Sequence, residues 1–354
     1  MKHSLAILSA VTIVAPAAAQ VLYFADIFSP TSVDGGIRRV DTSGFNLMPV
    51  LETGGGLRSV AVDAAGGKVY WCDSDLFRIS RANLDGSSPQ DIVTAGLQFP
   101  TAIALDTAHG KLYWGDQVAE EIRRCDLDGS SVEFITSTPF HRGIAVDQAH
   151  GKIFWTTSRT VGGGDVWTAD LDGSNAVRIL NGGASSYKPA TLAVDPQRNR
   201  LYFTDYVTKT FRRAALDGSG LVTLYTDPFG MSPRGLVVDS ATGDVYWGRD
   251  TGDEPITGEI DVALGGEANF QPVAFGLGEV ISISILPLAG PAPCYANCDG
   301  STTAPVLNVL DFGCFLNRFA AGDSYANCDG STVPPALNVL DFGCFLNRFA
   351  AGCS

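Results

Sequence analysis

The sequence predicts an all-β fold, a six-bladed β-propeller closed by a C-terminal strand and followed by a small α-helical module. Two observations predict the propeller. An aromatic four-residue motif recurs six times, at intervals of 41 to 48 residues, and the 40 glycines of the 354-residue chain supply many turns. A propeller blade consists of four short strands joined by tight turns, and it has this length and this frequency of turn residues.

The N-terminus has the pattern of a secretory signal peptide. Lys2 precedes an apolar run over residues 5–14, and Ala17-Ala18-Ala19 ends in a small-residue cleavage site. The apolar run is shorter than the roughly 18 residues that span a bilayer. We therefore expect residues 1–19 to be removed, and the mature protein to be secreted, either extracellular or cell-surface associated, with no transmembrane segment.

The overall charge limits the class of partner. The formal net charge is −14 at pH 7 and the isoelectric point is near 4.6. Nucleic acids and anionic membranes both need a basic surface on the protein that binds them. The composition therefore excludes nucleic acid as a partner.

Each repeat follows one order along residues 20–288. An apolar strand ends in Asp, a turn follows, and then come the tetrad, an Ile-x-Arg segment and a Leu-Asp-Gly-Ser turn, whose Asp-Gly pair favours a hairpin. The tetrads begin at Tyr23, Tyr70, Tyr113, Phe154, Tyr202 and Tyr246. The first repeat lacks its leading strand, and the alternating run at 280–285 has no tetrad after it. We expect that run to supply the missing strand and close the ring.

These repeats resemble the YWTD (class B) repeats of low-density-lipoprotein-receptor-type proteins, over residues 21 to 288. The resemblance implies a six-bladed propeller that acts as a binding module and performs no catalysis. The expected ligand is an extracellular protein, glycan or anionic group.

The fourth tetrad residue and the arginine of Ile-x-Arg vary together between repeats. Both are lost in the fourth repeat, and the charges are exchanged in the sixth. Such paired changes predict a cross-strand ion pair in each blade rather than functional carboxylates. The predicted pairs are Asp26–Arg39, Asp73–Arg81, Asp116–Arg124, Asp205–Arg213 and Arg249–Asp261.

Two cysteines stand apart from the others, Cys72 and Cys125. Counting suggests a disulfide, but strand parity places both on the face of their blade opposite the predicted ion pair. Because equivalent faces point the same way around a ring, the two sulfurs are not expected to meet. We predict two buried free thiols.

The residue that precedes each innermost strand should lie at the mouth of the central channel. Three arginines occupy such positions, and they predict a site for an anionic ligand. The alternative is that they pair with local acids such as Glu52. The predicted rim residues are Arg58, Thr101, His141, Arg142 and Arg234.

A propeller hydrolase of the lactonase or esterase type is the competing interpretation. It would need carboxylate, amide or histidine ligands that converge on the channel. The inner strands are rich in Val, Ile, Ala and Leu, and the Asp that ends each strand recurs as a turn-capping residue does. The sequence therefore favours a non-enzymatic protein.

The tail begins with a linker at 289–293, and residues 294–354 contain two nearly identical units. Each unit has an Asn-x-Asp-Gly loop followed by a helical run, which resembles a dockerin module. The resemblance implies paired Ca²⁺ loops and helices that dock onto a cohesin-like or envelope partner. No Glu ends either loop, so a disulfide-held loop without metal is the alternative. The available ligands are Asn297, Asp299, Asn308, Asp311, Asn327, Asp329, Asn338 and Asp341.

The six tail cysteines predict a set of disulfides. One pair repeats in each unit, and the two remaining cysteines bracket the module. The predicted bridges are Cys298–Cys314, Cys328–Cys344 and Cys294–Cys353. We therefore expect an exported binding or scaffold protein that the tail docks or anchors to a surface or a secreted assembly.

Overall fold

The computed structural model describes residues 20–27, 35–42, 44, 46–53, 56–139, 141–158, 163–182, 188–227, 233–250, 258–277 and 279–286, together with Phe315, Leu316 and Phe319. Residues 20–287 form one compact unit. The signal peptide, the linker, the Ca²⁺ ligands and the disulfides predicted above lie outside the described residues.

Within this part of the chain, 24 strands form six four-stranded antiparallel sheets, which are the blades. Blade 1 contains β1 (Val21–Ile27), β2 (Gly36–Asp41), β3 (Met48–Glu52) and β24 (Glu279–Leu286). Blade 2 contains β4 (Leu57–Asp63), β5 (Lys68–Asp73), β6 (Arg78–Asn83) and β7 (Gln90–Val93). Blade 3 contains β8 (Pro100–Asp106), β9 (Lys111–Asp116), β10 (Glu121–Asp126) and β11 (Glu133–Ser137).

The remaining blades repeat this order. Blade 4 contains β12 (His141–Asp147), β13 (Lys152–Ser158), β14 (Gly164–Asp170) and β15 (Val177–Asn181). Blade 5 contains β16 (Pro189–Asp195), β17 (Arg200–Asp205), β18 (Thr210–Ala214) and β19 (Val222–Thr226). Blade 6 contains β20 (Pro233–Val238), β21 (Val245–Asp250), β22 (Gly258–Ala263) and β23 (Phe270–Leu277). Short 3-10 turns cover Pro196–Arg198 and Leu264–Gly266.

The last strand closes the ring, as predicted. β24 pairs antiparallel with β1 and becomes the innermost strand of blade 1. Its serines also bind the neighbouring blade, because the Val60 amide donates to Ser282 Oγ at 3.1 Å and the Val62 amide donates to Ser284 Oγ at 3.1 Å. The two ends of the propeller are therefore joined by a ladder and by side-chain hydrogen bonds.

The core consists of six apolar layers, each shared by two neighbouring blades. Successive side chains of a strand face opposite ways, so the first tetrad aromatic faces the next blade and the second faces the previous one. The packed pairs are Tyr23–Trp71, Tyr70–Trp114, Tyr113–Trp155, Phe154–Phe203, Tyr202–Trp247 and Tyr246–Phe24. The tetrad is thus the repeating element of the interblade core.

The Leu-Asp-Gly turns also contact the neighbouring blade. Gly129 has φ of +91° and lies against the previous blade, where an added Cβ would be 2.0 Å from the carbonyl oxygen of Ile92. Only glycine combines this conformation with so close an approach. Gly86, Gly173 and Gly218 have the same geometry against blades 1, 3 and 4.

Tyrosine and arginine side chains hold these turns from the preceding blade. In blade 3, the Tyr113 hydroxyl and Arg124 Nη1 both donate to the Leu171 carbonyl of blade 4, each at 3.0 Å. Arg81 Nη1 donates to Leu127 O at 2.9 Å, and the Tyr23 hydroxyl donates to Leu84 O at 3.1 Å. We call this arrangement the Tyr–Arg clamp.

Four of the predicted ion pairs are wrong. Three of their arginines, Arg81, Arg124 and Arg213, donate instead to turn carbonyls of the next blade. Arg39, Arg81, Arg124 and Arg213 lie opposite the first tetrad residue of their blade. The fourth tetrad residue is three positions further along, and an odd separation places it on the other face of the sheet. Asp26–Arg39, Asp73–Arg81, Asp116–Arg124 and Asp205–Arg213 are therefore on opposite faces.

The tetrad aspartates instead take two other kinds of partner. Asp26 accepts from Arg38 Nε at 2.6 Å, and Asp73 lies 3.9 Å from Arg78. Asp73, Asp116 and Asp205 cap the turn that follows them, where each carboxylate accepts two backbone amides two and three residues on. In blade 6, Arg249 Nε does donate to Asp261 Oδ2, at 2.7 Å.

Cys72 and Cys125 are free and buried, as predicted, but the parity argument was wrong. Cys72 follows Tyr70 by two positions and shares its face, whereas Cys125 lies opposite Leu112. Both thiols therefore enter the same apolar layer between blades 2 and 3. Burial raises the pKa of each thiol to about 12.

In the tail, Phe315 is buried and its ring centroid lies 6.0 Å from that of Phe319, while Leu316 is exposed. None of the helices in the described part of the chain is long and apolar enough to cross a membrane.

Candidate functional site: the channel rim

The six innermost strands surround a narrow central channel. Its cavity is about 110 Å³, and each innermost strand contributes to the wall. Pockets that hold small organic ligands usually measure about 300 Å³ or more. The channel itself is therefore narrow, and the chemistry is concentrated at its mouth.

The structure brings together three of the predicted rim residues. Arg58 on β4, Thr101 on β8 and Arg142 on β12 all line the channel cavity, from three successive blades. Arg234 on β20 is not part of this wall, and the side chain of His141 lies outside the described residues.

Arg58 is held in place by one hydrogen bond and one aromatic ring. Its Nε donates to Ser74 Oγ at 2.9 Å, and its Cζ lies 5.3 Å from the centroid of Phe99. A guanidinium that stacks on an aromatic ring loses less rotamer entropy when it binds a ligand.

Arg142 is arranged in the same way in blade 4. Its Cζ lies 4.7 Å from the ring centroid of Tyr206, whose hydroxyl is 2.8 Å from Ser158 Oγ. Arg142 is exposed. Neither Arg142 nor Arg58 forms an ion pair with a described residue, so both charges can meet an external carboxylate.

For Arg234 the alternative interpretation holds, because a local acid neutralises this arginine. Its Nη2 lies 2.7 Å from Glu279 Oε1 on the closing strand. Glu52, the acid suggested by the sequence, lies instead 3.6 Å from Arg38.

Exposed apolar side chains lie at the same end of the blades as the arginines, and sequence reasoning missed them. They lie in turns that follow the tetrads, and these turns are hydrogen-bonded to the starts of the innermost strands through Ser74–Gly56 and Gln117–Phe99. The residues are Leu76, Phe77, Val118 and Val207, of which Val118 is 59% exposed. The signal was an apolar residue two to four positions after a tetrad Asp. We call Arg58, Arg142, Phe99, Tyr206 and these four residues the rim face.

The aspartates at the other end of the innermost strands are structural. Asp106 is buried and accepts from the His109 amide at 3.2 Å and from Nδ1 at 2.8 Å, and Asp147 binds His150 in the same way. Asp63, Asp195 and Asp239 cap their turns likewise. Among the described residues, no three His, Cys, Asp or Glu side chains are grouped so that they could hold a metal ion.

Sequence comparison supports the class B repeat. Residues 67–107 match the family described as Low-density lipoprotein receptor repeat class B. Low-density lipoprotein receptor-related protein 4 of Homo sapiens is 65% identical over 40 residues, which are 11% of this chain and 2% of that protein. Low-density lipoprotein receptor-related protein 5 of Mus musculus is 34% identical over 91 residues, 23% of this chain and 6% of that protein. The matches thus span a small part of those relatives.

Solved structures share the propeller fold. A chain of the nidogen/laminin complex superposes with a TM-score of 0.64 at 18% identity, covering 76% of this chain and 98% of that one. TolB from Acinetobacter baumannii gives a TM-score of 0.61 at 15% identity, with 76% and 67% covered. The chain is therefore a six-bladed β-propeller, and residues 67–107 within it are similar to the class B repeat.

Proposed function

We propose that this protein is an exported, non-enzymatic binding protein whose rim face recognises an acidic segment of an extracellular protein. One observation carries the proposal: the rim face combines arginines stacked on aromatic rings with exposed aliphatic and aromatic side chains. Arginine and aromatic residues are enriched where protein interfaces concentrate their binding energy.

Charge supports an acidic ligand. The chain has a net charge of −14, yet Arg58 and Arg142, at one end of the ring, pair with no acid of the described residues. A carboxylate that binds a guanidinium can accept two parallel hydrogen bonds, and this gives orientation as well as affinity. Aliphatic turns around the arginines would bury the apolar part of the same ligand.

The tail has a separate role in the proposal. The dockerin-like repeat in residues 294–354 would dock or anchor the propeller to a surface or a secreted assembly, and the Asn and Asp side chains of its loops would bind Ca²⁺. The propeller would then display its rim face at that location.

A capture experiment tests the proposal. The mature chain, residues 20–354, is immobilised and exposed to the exoproteome and cell-envelope fraction of the source organism, with and without EDTA. The double variant Arg58→Ala/Arg142→Ala should lose a captured protein. Lys68→Ala/Lys111→Ala makes the same charge change at the other end of the strands and should retain it.

Two results would redirect the proposal. If the rim variant captures the same proteins as the wild type, the rim face is not the binding surface. If the wild type captures no protein but hydrolyses small lactones or esters, the hydrolase interpretation replaces the binding one. Loss of a second, distinct partner in EDTA would support the Ca²⁺-dependent tail.

A further inference from the structure

The Tyr–Arg clamp is absent at one blade junction. Tyr113 and Arg124 clamp blade 3 to blade 4, but Phe154 and Thr168 occupy their positions in blade 4. In blade 6 only the arginine is replaced, by Val262, and Tyr246 retains its hydroxyl. Among the blades, blade 4 alone has lost both the hydroxyl and the guanidinium.

A cavity lies where the clamp is missing. It measures about 710 Å³ and lies between blades 4 and 5. Phe154, Thr168, Val177 and Ile179 of blade 4 and Pro196 and Leu216 of blade 5 contribute to its lining. We call it the blade 4/5 slot.

Two hydrogen-bonding groups of the slot have no partner among the residues that the structure describes. Thr168 Oγ1 is buried and unpaired. The carbonyl of Leu216 is equivalent to that of Leu171, which accepts both Tyr113 and Arg124, but it receives no donor. Leu216 lines the slot, so its carbonyl offers an acceptor to a donor from outside the chain.

The equivalent positions of the other blades indicate which kind of group the slot can hold. The ring of Phe154 occupies the place of the tyrosine ring, so the missing volume is that of a hydroxyl and an arginine side chain. Three basic side chains also line the slot, and each has an acid beside it. Lys152 Nζ donates to Asp170 Oδ1, Arg178 lies 3.8 Å from Asp165, and His150 Nδ1 lies 2.8 Å from Asp147 Oδ2. Asp217, at the edge of the slot, adds an exposed carboxylate.

We propose that the blade 4/5 slot receives an arginine side chain from a partner protein. The alkyl stem packs on Phe154 and Val177, and the guanidinium donates to Leu216 O, as Arg124 donates to Leu171 O at the junction of blades 3 and 4. The Asp217 carboxylate at the edge of the slot lies beside the charge. The slot is at the turn end of the innermost strands, whereas the rim face is at their start. The site is therefore distinct from the rim and does not rest on the proposed function.

The test is a titration of the mature chain with the blocked peptide acetyl-Gly-Arg-Gly-amide, followed by NMR. Saturable shifts at Thr168, Val177 and Leu216 are expected, and the norleucine peptide should give none. Thr168→Arg fills the slot with the protein's own guanidinium and should abolish binding. Val262→Arg makes a similar change in blade 6 and should leave the affinity unchanged.

A variant that binds more tightly is needed as well, because a variant that loses binding could simply be misfolded. Arg124 pairs with Glu133 on the neighbouring strand, and Val177 occupies the equivalent position in blade 4. Val177→Glu should therefore tighten binding of the arginine peptide by roughly tenfold. Equal binding of the norleucine peptide, or unchanged binding by both Thr168→Arg and Val177→Glu, would overturn the proposal. Arg58→Ala/Arg142→Ala should bind the peptide as the wild type does, whatever the fate of the rim proposal.

Discussion

Arg249 and Asp261 form the same cross-strand ion pair as Asp26 and Arg38, with the charges exchanged. The Nε–Oδ2 distances are 2.7 Å in blade 6 and 2.6 Å in blade 1. In both blades the fourth residue of the tetrad pairs with a residue on the next strand, the one that lies opposite the second residue of the tetrad. Both side chains lie on the face that packs against the previous blade. Blades 1 and 6 thus contain the same ion pair, with the acid and the base exchanged between the two strands.

Arg249 should be the more important arginine of the two. Asp227, Glu259 and Asp261 all lie within salt-bridge distance of it, and all three are buried. Arg249→Met should lower the free energy of unfolding by roughly 3 kcal/mol, because buried carboxylates would lose their counter-charge. Urea denaturation measures this. Arg38→Met is the control and should cost less, because Glu52 is exposed.

The cost of Arg249→Met should depend on pH. Burial raises the pKa of Asp261, and removing the arginine raises it further. A carboxyl whose pKa is raised on folding loses its favourable contribution as the pH rises through that value. The variant should therefore be closer to wild type near about pH 4 than near about pH 7. An equal difference at both would contradict this account of the pair.

Replacing the glycine of an Asp-Gly turn with alanine should destabilise the protein. Gly129→Ala places a methyl group against Ile92 O in a left-handed conformation, and should cost roughly 2–4 kcal/mol. Gly110→Ala is the matched control, since its φ is +66° but nothing lies within 4 Å of the new Cβ. It should cost only about 1 kcal/mol. Thermal unfolding of both variants separates close approach from backbone strain.

The clamp predicts opposite effects for reciprocal substitutions. Tyr113→Phe removes the donor to Leu171 O and should destabilise by about 1 kcal/mol. Phe154→Tyr supplies a hydroxyl at the junction where the clamp is missing, and should stabilise by a comparable amount. Paired denaturation curves test both. If Phe154→Tyr destabilises, the hydroxyl does not reach Leu216 O.

Acid sensitivity should come in part from the hairpin aspartates. Hydrogen bonds from Ser87, Ser130, Ser174 and Ser219 lower the pKa of Asp85, Asp128, Asp172 and Asp217. A lowered pKa contributes stability above the unfolded value, and this is lost as the pH falls through the folded value. Replacing the four with Asn keeps an acceptor but removes the titration. The quadruple variant should therefore lose less stability than wild type between about pH 5 and pH 2.

The repeat made the blade count, the tetrad core and the closing strand predictable, because a period read directly from the sequence is independent of turn geometry. Pairing across a hairpin was not predictable in the same way. The tetrad Asp and the Ile-x-Arg arginine varied together, but strand parity puts Asp73 opposite Arg78 and places Arg81 opposite Tyr70. In blade 4 the arginine is lost together with the hydroxyl of the first tetrad residue, since Thr168 lies opposite Phe154. The structure gives no reason for the change at Thr157.

The candidate sites could be predicted only in part. Arg58 and Arg142 were found because their position before an inner strand repeats. Their aromatic supports, Phe99 and Tyr206, come from neighbouring blades, and only the folded ring brings them close. The slot depends on the gap between two blades, although Phe154 and Thr168 were visible in the sequence as departures from the repeat.

Hydrogen–deuterium exchange of the mature chain, with and without the captured partner fraction, tests most directly whether the rim face is the binding surface. We expect protection at the starts of β4, β8 and β12 and in the turns at 74–77, 117–120 and 206–209. Protection confined to the outer strands β7, β11 and β15, or no change on the propeller, would contradict the account.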